Sequence, residues 1–200
     1  MRVEDGIGRR RSAVLAAAPA VVAAAILLAG GSVGAVSRDA ECDDLDIAVE
    51  PAADFRSIEC KAGQTGYGGE TGWSNTESIE AQDALSILLV YHSRAGVQTF
   101  IERVDPKTLF SDSIDMAVEG SWSGTTVSNG YSIAKFFSKF DDESEKVPCF
   151  AYSRYGGHVA GTGGFRHMVA GYYCEFVPSD SPVSEARIDQ MTGKIKADMF

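Results

Sequence analysis

The sequence is short of the residue patterns that most often carry chemistry. It holds three histidines in 200 residues, and no two of them form a His-x-x-x-His pair. Its four cysteines include no Cys-x-x-Cys spacing, so the usual signature of a zinc or dithiol site is missing. The glycine-rich stretch 156–164 lacks the Gly-Lys-Ser ending of a phosphate loop. Gly120-Ser121-Trp122-Ser123-Gly124 places tryptophan where a nucleophile elbow needs serine. It reads instead as a turn whose aromatic ring packs on a sheet. Internal repeats are absent. Positive charge is scarce as well, with 18 lysines and arginines against 28 acidic residues, a net of −10. Residues 1–37 hold Arg2, Arg9, Arg10 and Arg11 against Glu4 and Asp5, a net of +2, which leaves −12 on residues 38–200. A body this acidic repels phosphate backbones and anionic lipid surfaces, which argues against nucleic acid as a partner.

What is present suffices for a folded domain. Hydrophobic residues make up 44% and aromatics 10%, enough to build a core. The length fits one domain at 38–200 behind a targeting segment at 1–37.

Arg9, Arg10 and Arg11 abut an uncharged stretch from Ser12 to Val36, with its apolar core at Ala13–Ala29. Arginines, an apolar run and then small residues are the order of a secretory signal. Val33 and Ala35 suit a cleavage site after Ala35, and Ala35 and Ser37 suit one after Ser37. The rival reading is an uncleaved anchor helix. The 17-residue core reaches about 26 Å, short of a hydrocarbon layer of about 30 Å, whereas all 25 residues of 12–36 would span it. In either case the basic flank stays inside, so the body is expected in the periplasm, secreted, or on the periplasmic side of the inner membrane. No cysteine follows Leu27–Gly31, and no Phe-Leu follows Arg10-Arg11, so lipoprotein and twin-arginine signals do not fit.

In an exported chain, Cys42, Cys60, Cys149 and Cys174 read as two disulfides, with three connectivities open. Spacing favours Cys149–Cys174. Two strand-like runs, Cys149–Tyr155 and His167–Phe176, flank the glycine-rich tip, and a hairpin about it sets these cysteines side by side. Closing such a loop stabilises by about 3 kcal/mol. Cys42 and Cys60 then pair by default.

Along the body, Arg38–Ala53 reads as a weakly patterned lead-in and Phe55–Cys60 as a short strand. Gly63–Gly72 holds five glycines in ten residues and reads as a mobile loop. Leu85–His92 and Val97–Val104 read as a hairpin around Ser93–Gly96. Ile114, Met116 and Val118 alternate as a half-buried strand would, Asn129-Gly130 marks a turn, and Tyr131–Phe140 is strand-like. Ser181-Pro182 suits a helix start, with Ile188, Met191, Ile195 and Met199 at helical spacing. The expected fold is α+β: an antiparallel sheet of about five to seven strands with a C-terminal amphipathic helix, preceded by an N-terminal signal or anchor helix.

His158 at the hairpin tip and His167 on the returning strand are the one pair that could approach each other, as zinc ligands or as acid and base. No carboxylate within the hairpin orients either ring. His92 reads as a strand-edge residue. The acidic run 141–145 lacks the spacing of a calcium loop and reads as a solvated tip. Tyr67, Trp73, Trp122, Tyr152, Tyr155, Tyr172 and Tyr173 supply either a core or a partner surface.

The stretch Cys149–Arg154, Gly171–Cys174 and the segment Ser181–Lys196 are similar to the tail of small exported proteobacterial proteins of unassigned activity. The likeness covers about a quarter of the chain. It implies export and a disulfide, and no reaction. The expectation is therefore an exported, disulfide-stabilised binding or accessory module without catalytic, cofactor or metal residues. Its partner would be a protein at the cell envelope, with membrane contact through residues 12–36 if these are retained. The alternative is a metal-dependent or hydrolase-like periplasmic enzyme using His158 and His167.

Overall fold

The computed structural model describes residues 32–67, 72–97, 99–111, 117–139 and 145–198. Most of the predicted leader, Ile114, Met116, Phe140, residues 141–144 and Met199 lie outside them. The elements in chain order are β1 (Ser32–Asp39), β2 (Ile47–Val49), β3 (Ser57–Tyr67), β4 (Gly72–Gln82), β5 (Ser86–Ala95) and α1 (Pro106–Phe110). They continue with β6 (Thr126–Ser128), β7 (Tyr131–Ser138), β8 (Val147–His158), β9 (Phe165–Glu175), α2 (Glu185–Gly193) and β10 (Ile195–Ala197). Eight strands form one antiparallel sheet in the order β1-β3-β4-β5-β9-β8-β7-β6, and β10 pairs with β2 as a separate ribbon. The α+β, sheet-dominated class is as expected.

The strand count is higher than the five to seven expected, because segments read as leader, lead-in and helix are extended. β1 runs antiparallel to β3 from Ser32↔Tyr67 to Asp39↔Lys61. β2 lies inside the supposed lead-in. Gly63–Tyr67 and Gly72 belong to β3 and β4 rather than to a loop, paired from Gly63↔Thr76 to Tyr67↔Gly72. Ladder hydrogen bonds offset the low strand propensity of these glycines.

The hairpin expected between Leu85–His92 and Val97–Val104 does not form. β5 pairs instead with β4 on one side and β9 on the other, with Leu88 opposite Ala81 and Tyr173. Residues 96, 97 and 99–105 lie in no strand, and Ile101 makes an isolated bridge to Phe165. The reason is local. The Arg166 guanidinium donates to the carbonyls of Gly96 (2.7 Å), Val97 (3.2 Å) and Thr99 (3.0 Å), acceptors that a strand would spend on its neighbour.

β7 and the β8–β9 hairpin lie where the sequence places them. Asn129 (φ 49°) and Gly130 (φ 78°) make the two-residue turn between β6 and β7, where positive φ at both positions favours Asn-Gly. Both predicted disulfides are present. Cys149 faces Cys174 in register with Cα atoms 4.2 Å apart, and Cys42 joins Cys60 at 5.3 Å.

The C-terminal helix is shorter than its spacing suggests. Ser184, not Ser181, is its N-cap, and its side chain accepts from the Arg187 amide. Val183 before the cap and Ile188 in the first turn are both buried in one cluster, the positions of a hydrophobic staple. Ile195 is buried too, but as a strand residue opposite Val49.

Across β5, β9, β8 and β7 both faces of the sheet are covered. On one face Ile79, Leu88, Val90, Val169, Phe150, Tyr152 and Tyr173 pack under α2 and the β2–β10 ribbon. On the other, Phe136, Cys149, Ala151, Met168 and Cys174 pack under α1 and the segment carrying Trp122. Trp122 stacks on Phe136 with ring centroids 4.2 Å apart. Ser121 and Ser123 accept from the Phe137 and Lys135 amides, so this segment is a turn tied to β7. Tyr152 and Tyr173 are fully buried, which assigns these tyrosines to the core.

Candidate functional site

Along β5, Leu88, Val90, His92 and Arg94 share one face of the sheet, since side chains alternate with period two. The first two are apolar and belong to the core beneath the ribbon. The next two are polar, and each meets polar partners on the neighbouring strands. Glu77 of β4 sits directly opposite His92. His167 of β9 sits opposite Arg94, diagonal to His92. Above them lies the start of the ribbon, where Asp46 precedes β2 and Asp198 follows β10. The Asp198 amide donates to the Asp46 carbonyl (3.1 Å), which ties the ends of the two ribbon strands together.

These residues form a connected network. His92, only 2% exposed, contacts Glu77 Oε2 through Nδ1 at 3.1 Å. Its Nε2 lies 3.4 Å from His167 Nδ1, with the two rings nearly parallel. The Asp46 amide donates to the same Glu77 oxygen (3.1 Å), and the Asp46 carboxylate pairs with the Arg94 guanidinium. An ionised carboxylate only accepts, so in this contact Nδ1 of His92 is the donor and Glu77 the acceptor. His167 is held below the ordinary imidazole value, first by partial burial and then by His92 and Arg94 beside it, with Asp198 pulling the other way. Asp46, Glu77 and His92 each offer a ligand atom, all within 4.8 Å of one another, so this group could hold a cation.

Surface depressions flank the cluster. One is bordered by Asp46, Tyr131, Arg154, Lys196 and Asp198. Another, on the far side of Glu77, is bordered by Arg38, Gln64 and Asn75.

The two histidines singled out from the sequence have different ring partners. His158 is exposed and packs edge-on against Phe165 at 5.7 Å, the residue opposite it in register. His167 turns to His92. His92 is a residue of a central strand rather than a strand edge, because β9 and not Val97–Val104 lies beside β5. The signal that could have found it is the alternation Leu88-Val90-His92, which continues an apolar face into a histidine. Asp46 and Glu77 carry no comparable local sign.

Comparison with family models, with curated proteins and with solved structures finds no match to this chain.

Proposed function

We propose that the protein is an exported, disulfide-stabilised binding or accessory module that engages a protein partner at the cell envelope and does not turn over a substrate. The observation that carries this reading is the use of all four cysteines in two disulfides, Cys42–Cys60 and Cys149–Cys174. Such pairs persist in oxidising compartments and are rare in the cytosol. The second support is at the turn end of the sheet. Val97 is 84% exposed and Phe100 43% exposed, and the loop that carries them is held by Arg166. Apolar side chains presented on a held loop suit contact with another protein surface. If residues 12–36 are retained, the module would be a small subunit docked on a larger membrane complex.

The alternative is a metal-dependent or hydrolase-like enzyme using His158 and His167, and what favours the module over it is that His167 stacks on His92 while His158 packs on Phe165. Localisation and partnership are tested together. A reporter active only outside the cytoplasm, fused after Arg38, should be active. Affinity purification from membranes and from soluble periplasm should then recover a stoichiometric protein partner, and a Val97→Ser, Phe100→Ser variant should lose it. A silent reporter, with the full-length protein soluble inside the cell, would sink the proposal.

A further inference from the structure

The polar cluster beneath the ribbon combines features that a purely structural ion pair does not need. Two carboxylates, Asp46 and Glu77, converge on one buried imidazole, with ligand atoms within 4.8 Å. One guanidinium, Arg94, neutralises Asp46 alone. Among the described residues Glu77 is left with the His92 Nδ1 and the Asp46 amide, and neither a lysine nor an arginine pairs with it. The Glu77 side chain is 17% exposed, so little water reaches its charge. A largely buried carboxylate with no lysine or arginine beside it has room for a further positive charge, and a cation is the direct way to supply one. Arg94 Nε is itself buried with no hydrogen-bond partner, so the guanidinium is not fully satisfied where it lies. Its side chain and that of Asp46 are 43% and 41% exposed, which leaves room for the arginine to turn outward.

We infer that Asp46, Glu77 and His92 form a binding site for one divalent cation of the zinc class, with His167 as the positioning residue behind His92. The donor set decides the class. Imidazole nitrogen with carboxylate oxygen suits zinc and its neighbours among the late first-row metals, whereas magnesium and calcium favour all-oxygen shells. Thiolate-seeking ions find no ligand here, because every cysteine is in a disulfide.

The His92–His167 contact has a specific part in this. Without the cation, His92 holds its proton on Nδ1, facing Glu77. A cation among Asp46, Glu77 and His92 takes the Nδ1 lone pair, so that proton must leave this nitrogen. It reappears on Nε2, which then donates to His167 Nδ1, the atom already 3.4 Å away. For Nδ1 of His167 to accept, that ring must carry its own proton on Nε2, so both rings change tautomer and neither loses a net proton. A second ring that accepts from the far nitrogen of a ligating histidine is the usual arrangement for fixing its orientation. This inference goes beyond the binding-module reading and does not depend on it, since an exported module can hold a cation whether or not a protein partner exists.

The test uses the purified full chain with disulfides intact, freed of metal by chelator and titrated with zinc chloride. The expected result is one zinc per chain by calorimetry. Nitrogen-15 NMR of the histidine rings should show His92 moving from the Nδ1–H to the Nε2–H form as zinc is added. Asp46→Asn and Glu77→Gln should each weaken binding by about tenfold or more, and His167→Gln by a similar factor, whereas His158→Ala should bind as the wild type does. Glu77→Gln could disturb folding through buried His92, so the half-exposed Asp46→Asn carries the test, with thermal melts in chelator as the check on folding. Absence of saturable zinc binding by the folded wild type would overturn the inference. So would binding that survives Asp46→Asn at full strength, or zinc uptake that leaves the His92 tautomer unchanged.

Discussion

The hydroxyl of Tyr152 donates to the carbonyl of Leu89 (2.7 Å), two strands away, by passing over Gly171 on the strand between them. Gly171 is directly opposite both Tyr152 and Val90, and a Cβ there would stand 1.9 Å from the Leu89 oxygen and 2.5 Å from the tyrosine hydroxyl. The need for glycine is therefore one of space, set by a backbone oxygen that cannot withdraw. Gly171→Ala should destabilise by about 1–3 kcal/mol in denaturant unfolding, the range for overpacking a filled core. Tyr152→Phe should cost about 1–2 kcal/mol, through loss of the bond. If Gly171→Ala proves neutral, the two neighbouring strands are less tightly placed than described.

The two disulfides should differ in access rather than in chain entropy. Separations of 18 and 25 residues imply nearly equal stabilisation, about 3 kcal/mol each. Cys149 and Cys174 are 0% and 2% exposed, whereas Cys42 lies at the surface. Mild reductant under native conditions should open Cys42–Cys60 first, read by alkylation and peptide mass mapping. Simultaneous reduction of both would show that opening requires global unfolding.

Glu59 and Glu80 face each other across β3 and β4. The Glu80 carboxyl is raised above its ordinary value, first by burial and then by the Glu59 charge, with Lys61 opposing. A raised folded value means that folding favours the protonated form. The contribution is fully present below the unfolded value and is lost as pH rises through the folded one. Glu80→Gln should therefore gain stability relative to wild type as pH rises from about 4 to 7, and the two should converge at the acid end. A difference that does not change with pH would remove Glu80 as the titrating group.

Arg166 holds the loop after β5 by three carbonyls. Arg166→Ala should release residues 96–100, seen as new proteolytic cleavage there, and should cost about 1–3 kcal/mol of global stability. If cleavage is unchanged, the bridge between Ile101 and Phe165 suffices to hold the loop.

Features set by neighbours in the chain are legible in the sequence itself. Two strand-like runs flank the 156–164 tip, so Cys149 and Cys174 can be paired by counting. Asn129-Gly130 announces its turn through the backbone angles that only such residues adopt readily. The α2 segment shows its buried stripe at Ile188 and Met191. Its end is not legible, because Ile195 continues the helical spacing while its burial comes from pairing with Val49, which lies across the ribbon. The candidate site is illegible for the same reason on a larger scale. Its contacts join residues 31, 15 and 75 positions apart: Asp46 to Glu77, Glu77 to His92, and His92 to His167. Composition and local pattern determined that this is a sheet-rich, disulfide-paired domain behind an apolar N-terminal stretch. Only the tertiary fold decided that β9, rather than residues 97–104, lies beside β5. That choice rests on cross-strand packing and on the Arg166 bonds, interactions whose energy depends on register between distant segments and leaves no periodic trace in either one.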